Sequence, residues 1–174
     1  VMRVIHTTAD FDYLDNLCFS ENVMQTAEKL LKSGAVIVTD TNMAKSGGNK
    51  SALKKIGCEV MCFMSDGDVD AQAKLNGTTR ATASVDKAAR LGKPVIYAVG
   101  NAPTALVRLS ETIRDKSFVP ALVIGVPVGF VNVVQSKELI MASGVPYIVA
   151  KGRKGGSNVA AAICNALLYK FGGR

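Results

Sequence analysis

The chain carries a single histidine, His6. Imidazole is the one side chain whose unperturbed titration lies near neutrality, so an acid-base step close to pH 7 would use it. Its neighbours, Val4 and Ile5 before and Thr7 and Thr8 after, suit a packed histidine bonded to backbone equally well. A second set of residues reads as an anion site. Asp40-Thr41-Asn42-Met43, Gly100-Asn101-Ala102-Pro103-Thr104, Gly125-Val126-Pro127-Val128-Gly129-Phe130 and Lys151-Gly152-Arg153-Lys154-Gly155-Gly156-Ser157 are polar or glycine-rich, and each follows an apolar run. Arg153 and Lys154 stand just before a predicted helix start, where carboxylates and phosphates gain both Coulomb attraction and N–H donors. Asn101 or Ser157 is expected to cap the helix beside it, Asp40 to cap the next, and Pro103 to fill a first turn where its missing N–H is not needed. Neither the GxGxxG nor the GxxxxGK[ST] spacing of nucleotide cradles occurs, and for any one loop an ordinary tight turn is the competing reading.

The charge balance narrows the ligand. Lys and Arg total 21 against 14 acids, a net charge of +7, which points to an acidic partner. Tryptophan is absent and no aromatic-basic stacking platform appears, so nucleic acid is not expected and a small polyanion fits. The positive charges are scattered apart from short clusters at 50–55 and 151–154. Cys18, Cys58, Cys62 and Cys164 form no CxxC pair, and with one histidine no zinc site is expected. They read as reduced core residues of a cytosolic protein, Cys58 and Cys62 sharing one face of an expected strand.

The elements that must position these residues follow from the apolar pattern. A chain of 174 residues, 48% hydrophobic, is expected to form one domain over 1–174 with a sufficient core and no disulfides or structural metal. Its apolar runs fall well short of the roughly 20 residues that span a bilayer. Because position 1 is not Met, an upstream segment is expected, and the first 20 residues, which show no clear period, are expected to pair with it. Continuous β-branched runs at 35–38, 60–64, 95–99, 121–124 and 147–150 predict five buried parallel strands. Helical periods near 21–33, 68–75, 79–91, 103–115, 133–142 and 156–170 alternate with them. The prediction is a three-layer α/β/α sandwich with a five-stranded parallel sheet, its four polar loops on the C-terminal edge where open α/β sheets bind ligands.

Five segments are more specific: Arg3-Val4-Ile5-His6 with Ala9-Asp10-Phe11-Asp12; Asp40-Thr41-Asn42-Met43 with Gly47, Asn49 and Lys50; Gly100-Asn101-Ala102-Pro103-Thr104-Ala105-Leu106; Gly125-Val126-Pro127-Val128-Gly129-Phe130-Val131 leading to Ser136-Lys137; and Gly152-Arg153-Lys154-Gly155-Gly156-Ser157. In these the chain resembles the precorrin-8X methylmutases, or cobalt-precorrin-8 methylmutases, of cobalamin (vitamin B12) biosynthesis. The resemblance implies a flavodoxin-like fold, a homodimer and a cytoplasmic isomerase that needs no cofactor, cobalt where present being part of the substrate. It implies movement of a methyl group from carbon eleven to carbon twelve of a carboxylate-rimmed tetrapyrrole. His6 falls on the family's catalytic histidine, which protonates the macrocycle, and Arg80, in Thr79-Arg80, on a substrate-contacting position. Arg80, Arg153 and Lys50 are then expected to bind carboxylates; Asn101, Thr104 and Ser157 to hydrogen-bond acetate or propionate groups; Met43, Val128 and Phe130 to floor the ring. For Lys50 and Lys137 a solvated helix lysine stays as the competing reading. The chain departs from the family at Gly48, where a larger apolar residue is usual, and in lacking the upstream segment that helps build the site. The alternatives are a catalytically silent tetrapyrrole carrier of the same fold and, on charge alone, a nucleic-acid-binding module.

Overall fold

In the computed structural model, which describes residues 1–172, the chain opens on helices. α1 (Met2–Thr8) and α2 (Tyr13–Asn16) lead into the short strand β1 (Leu17–Phe19). α1 stops where Ala9 turns left-handed, at φ 54, and its N–H reaches back to the Ile5 carbonyl. The expected alternation follows: α3 (Val23–Lys32), β2 (Val36–Thr39), α4 (Asn42–Ser46), α5 (Lys50–Ile56), β3 (Glu59–Met61), α6 (Gly67–Leu75) and α7 (Arg80–Ala88). It continues through β4 (Val95–Val99), α8 (Pro103–Asp115), β5 (Leu122–Gly125), α9 (Val133–Met141), β6 (Tyr147–Ala150) and α10 (Ser157–Phe171). Among the described residues no helix is long and apolar enough to cross a membrane.

The five predicted strands are parallel, but they do not make up the whole sheet. Its order is β1-β6-β5-β4-β2-β3, and β1 pairs antiparallel with β6, Leu17 opposite Ala150 and Phe19 opposite Ile148. The sheet is therefore mixed and six-stranded among the described residues, not five-stranded and parallel. β1 escapes a reading of periodicity because it is three residues long and buries only one end, Leu17, while Phe19 is exposed. The first 20 residues thus find partners within the chain, β1 on β6 and α1 on α10. β3 is also shorter than expected, so Cys58 and Cys62 flank it instead of lying within it, and both are buried. Cys58 donates to the Leu31 carbonyl at 3.2 Å.

Alternation along the strands divides the core between the two faces. Ile37, Ile96, Ile124 and Ile148 join Val4, Leu31, Val159 and Leu168 of α1, α3 and α10. Val38, Tyr97, Val123 and Val149 join Val69, Val85, Leu106 and Ile140 of α6 to α9. Helices on both faces give the predicted three layers. Counting only the parallel strands, the order is that of doubly wound flavodoxin-type sheets, with its reversal between β2 and β4, the place where such sheets open a crevice.

Candidate active site

At that reversal Asp40, the residue after β2, is buried. One carboxylate oxygen accepts the Gly100 N–H at 2.8 Å, and the other accepts those of Asn101 and Ala102 at 2.8 and 2.7 Å. Asp40 therefore ties the ends of β2 and β4 together and does not cap α4. The cap is Thr41, whose hydroxyl oxygen accepts the Ala44 N–H at 3.1 Å. Burial pushes the Asp40 carboxyl above its ordinary range, and the three N–H bonds pull it part of the way back. The Thr41 hydroxyl donates to Ser157 Oγ at 2.8 Å, joining α10 to the same point. Gly100 permits that approach, since a Cβ there would stand 2.7 Å from Ser157 Cα.

Pro103 takes the first turn of α8 as expected, but Asn101 and Ser157 do not cap. Ala102 and Gly156 occupy the cap positions of α8 and α10, with no side-chain cap bond. The Asn101 side chain is left exposed at the edge. Two neighbouring loops complete this rim. Gly129 N–H donates to the Arg153 carbonyl at 3.2 Å and Gly156 N–H to that of Val126 at 2.8 Å. Arg153 is exposed, its guanidinium 5.7 Å from the centre of the Phe130 ring. Phe130, Val128 and Met43 are 83%, 47% and 64% exposed, an apolar surface available to a flat ring.

Lys137 and Lys154 behave differently from expectation. Lys137 is not a solvated helix lysine: it is 1% exposed and donates to the carbonyls of Gly152 and Lys154 at 2.7 and 2.9 Å. Burial pulls its ammonium down to about 8. Lys154 pairs with Asp10 at 2.7 Å and Asp12 at 2.5 Å, so its charge is matched within the chain. That pair holds the turn after α1 against the β6–α10 loop.

His6 is exposed on α1 and opens on a recess of about 380 Å³ with Met2, Arg3, Thr7, Ala162, Asn165 and Tyr169. It is not enclosed in the core. The Arg3 guanidinium lies 4.2 Å from the centre of the Tyr169 ring. Beneath the recess Asn165 accepts the Asn49 N–H at 2.8 Å and donates to the Gly47 carbonyl at 2.9 Å, while Asn49 Nδ2 donates to the Tyr169 hydroxyl at 2.7 Å. Asn49 also caps α5, whose first residue is the exposed Lys50. Ala162 and Asn165 stand about 7.5 and 12 Å along α10 from Ser157 at the usual rise per residue. The recess thus lies along α10, about one to three turns from the sheet edge.

On the opposite face Thr79 caps α7, and its hydroxyl is 3.2 Å from that of Thr104. Arg80 follows it, exposed. A second recess of about 400 Å³ lies beside them, lined by Thr78, Thr82, Thr104, Arg108 and Asn132 among others. Arg108 is taken there by Asp86 at 2.8 Å and Glu111 at 3.0 Å. The structure thus gathers Met43, Asn101, Val128, Phe130, Arg153 and Ser157 on one rim, with His6 and Lys50 to one side and Thr79, Arg80 and Thr104 to the other. His6 and Thr104 line separate recesses. Reading the sequence missed Arg3, Asn165 and Tyr169 in the histidine recess. Only Arg3 carried a signal, standing three residues before His6 and hence on its face of a helix.

A family model described as precorrin-8X methylmutase matches residues 1–170. The cobalt-precorrin-8 methylmutase of Salmonella typhimurium is 49% identical over 170 residues, spanning 97% of this chain and 79% of the relative. The precorrin-8X methylmutase of Pseudomonas aeruginosa is 38% identical over 168 residues, spanning 95% and 80%. The solved precorrin-8X methyl mutase of Thermus thermophilus superposes with a TM-score of 0.88 at 41% identity, covering 97% of this chain and 82% of that one. With the fold, the rim and the histidine recess all in place along a chain matched almost end to end, this protein belongs to the precorrin-8X methylmutase family.

Proposed function

We propose that this protein is an isomerase of cobalamin biosynthesis that moves a methyl group from carbon eleven to carbon twelve of precorrin-8X or cobalt-precorrin-8, giving hydrogenobyrinic or cobyrinic acid. The observation that carries this reading is the His6 recess, where the chain's one imidazole shares a concavity with Arg3, Asn165 and Tyr169 and no carboxylate side chain lines the wall. Such a lining suits a substrate whose rim is carboxylate. The relatives from Salmonella typhimurium and Pseudomonas aeruginosa, both named as methylmutases, favour turnover over a silent carrier.

In this mechanism the His6 imidazolium donates a proton to the macrocycle and leaves an electron-poor carbon next to the methyl-bearing one. The methyl group crosses with its bonding pair, and return of a proton to His6 restores the neutral ring. Nothing is oxidised or reduced and no group is lost, so the reaction as written calls on no cofactor; cobalt, where present, belongs to the substrate. Arg3, Arg80, Arg153 and Lys50 bind carboxylates, the arginines through two parallel N–H donors. Thr79, Asn101, Thr104 and Ser157 hydrogen-bond the ring's side chains, and Met43, Val128 and Phe130 take its face.

The two recesses lie on opposite sides of the rim, and Phe130 and Val131 stand 83% and 78% exposed between solvent and the basic loop. A homodimer in which a second copy covers this surface would deepen the site enough for a macrocycle. We place the reaction in the cytoplasm. Incubating the purified protein with precorrin-8X and, separately, with its cobalt form while recording absorption spectra tests the reading. Conversion of one or both to the product spectrum is expected; bound but unconverted tetrapyrrole in both would make the protein a carrier.

A further inference from the structure

A buried ammonium without a carboxylate partner needs a reason, because taking charge out of water is costly unless every donor is used. Lys137 is such a group: burial alone shifts it, and its bonds go to two backbone carbonyls. An apolar side chain of the same length would fill the space, so what the lysine adds is the pair of bonds. Those carbonyls belong to Gly152 and Lys154, the residues on either side of Arg153. The carbonyl of Arg153 itself is held by Gly129 N–H, from the loop that carries Phe130. The side chain of Lys154 leaves the same loop for Asp10 and Asp12, just past α1 and His6. One buried nitrogen therefore lies where the Arg153 loop, the Phe130 loop and the His6 helix are tied together.

We propose that Lys137 is a positioning residue for substrate binding, which clamps the carbonyls flanking Arg153 and so aims its guanidinium at a carboxylate of the tetrapyrrole. This rests on the assignment of Arg153 as a carboxylate ligand. Clamped from beneath by Lys137 and from the side by Gly129, the loop has its backbone direction set before substrate arrives, and less freedom is lost on binding. The clamp acts on the backbone, so its effect on affinity passes through Arg153 and not through any contact of its own.

The test is a double-mutant cycle with Lys137→Met and Arg153→Ala, reading the dissociation constant of hydrogenobyrinic acid by absorbance titration alongside KM and kcat for precorrin-8X. Lys137→Met is expected to weaken binding about tenfold with kcat little changed, and to weaken it by less than about twofold once Arg153 is already alanine, because residues acting through one contact are not additive. Equal losses in both backgrounds, or unchanged binding in Lys137→Met, overturn the proposal. Should Arg153→Ala itself leave binding unchanged, the ligand assignment falls and the proposal with it; should only Lys137→Met be silent, the ligand assignment stands and this inference alone falls. If the methionine variant does not fold, Lys137→Gln, whose shorter stem draws its amide back from the two carbonyls, is put through the same cycle with the same criterion.

Discussion

The rim at the C-terminal edge of the sheet and the recess around His6 are held by different kinds of bond. On the rim, buried charges grip backbone: the Asp40 carboxylate accepts three N–H groups and the Lys137 ammonium donates to two carbonyls. Around His6 the ties run mostly through side chains near the surface, Arg3 over Tyr169, Asn165 to the 47–49 turn, and Lys154 to Asp10 and Asp12. The seven-residue α1 has no side-chain cap bond at its start, and a helix so short depends on packing for its stability. Buried backbone bonds are the most expensive to lose, so the rim is a preset frame for the residues proposed to bind carboxylates. The proposed proton donor, His6, sits on α1, an element seated against that frame. Binding and chemistry should therefore come apart when each region is altered.

The largest effect expected is on the recess side. His6→Asn removes the proposed proton donor at nearly constant size, and kcat should fall about 100- to 10,000-fold while tetrapyrrole binding stays close to wild type. A variant that rearranges precorrin-8X at the wild-type rate would move the chemistry away from this recess. On the rim, Asp40→Asn sets an amide donor against at least one of the three backbone donors. It should lower stability by about 2–3 kcal/mol and weaken tetrapyrrole binding, read from denaturant midpoints and titration. An unchanged midpoint would mean that the carboxylate does not hold the edge.

Next come the exposed arginines. Arg153→Ala and Arg80→Ala should each raise KM about tenfold with little change in kcat, because a contact made equally in ground and transition states is uniform binding. A fall in kcat as large as the rise in KM would blur the division between frame and donor. The smallest effect concerns the tie between the two regions. Hydrogen bonds from the Lys154 ammonium and then the Asp12 N–H hold the Asp10 carboxyl below its ordinary value of 3.8. A lowered folded-state value means the stabilisation is complete above about pH 4 and disappears as pH falls through the lower value. Acid titrations should show wild type losing a small advantage over Asp10→Asn below about pH 4; because the pair is solvated, the difference should be slight. An advantage that persists at lower pH would place the stabilisation elsewhere.

Much of the scaffold was legible. Strands β2, β4, β5 and β6 are buried on both faces, so they read as unbroken β-branched runs, and α8 begins at Pro103 as its sequence predicts. The short elements were not. α4 and α5, five and seven residues long, carry too few turns to establish a period, and their only signals were the caps Thr41 and Asn49. Asp40 was misread for a related reason. Sequence places it next to α4, whereas its partners are Gly100, Asn101 and Ala102, brought near only by pairing of β2 with β4.

The sequence by itself determined the layered α/β class, the chain's single imidazole, the positive charge suited to a polycarboxylate, and the motifs of the family. Tertiary structure decided which of those charges are paired or buried and which stay exposed. Lys154 and Arg108 are spent on carboxylates of their own chain, Lys137 is buried beneath a loop, and Arg3, Arg80 and Arg153 are left on the surface. The difference arises because side-chain chemistry is local to a residue, while ion pairing and burial depend on distances between residues far apart in the chain, which only the folded sheet and its crossings set.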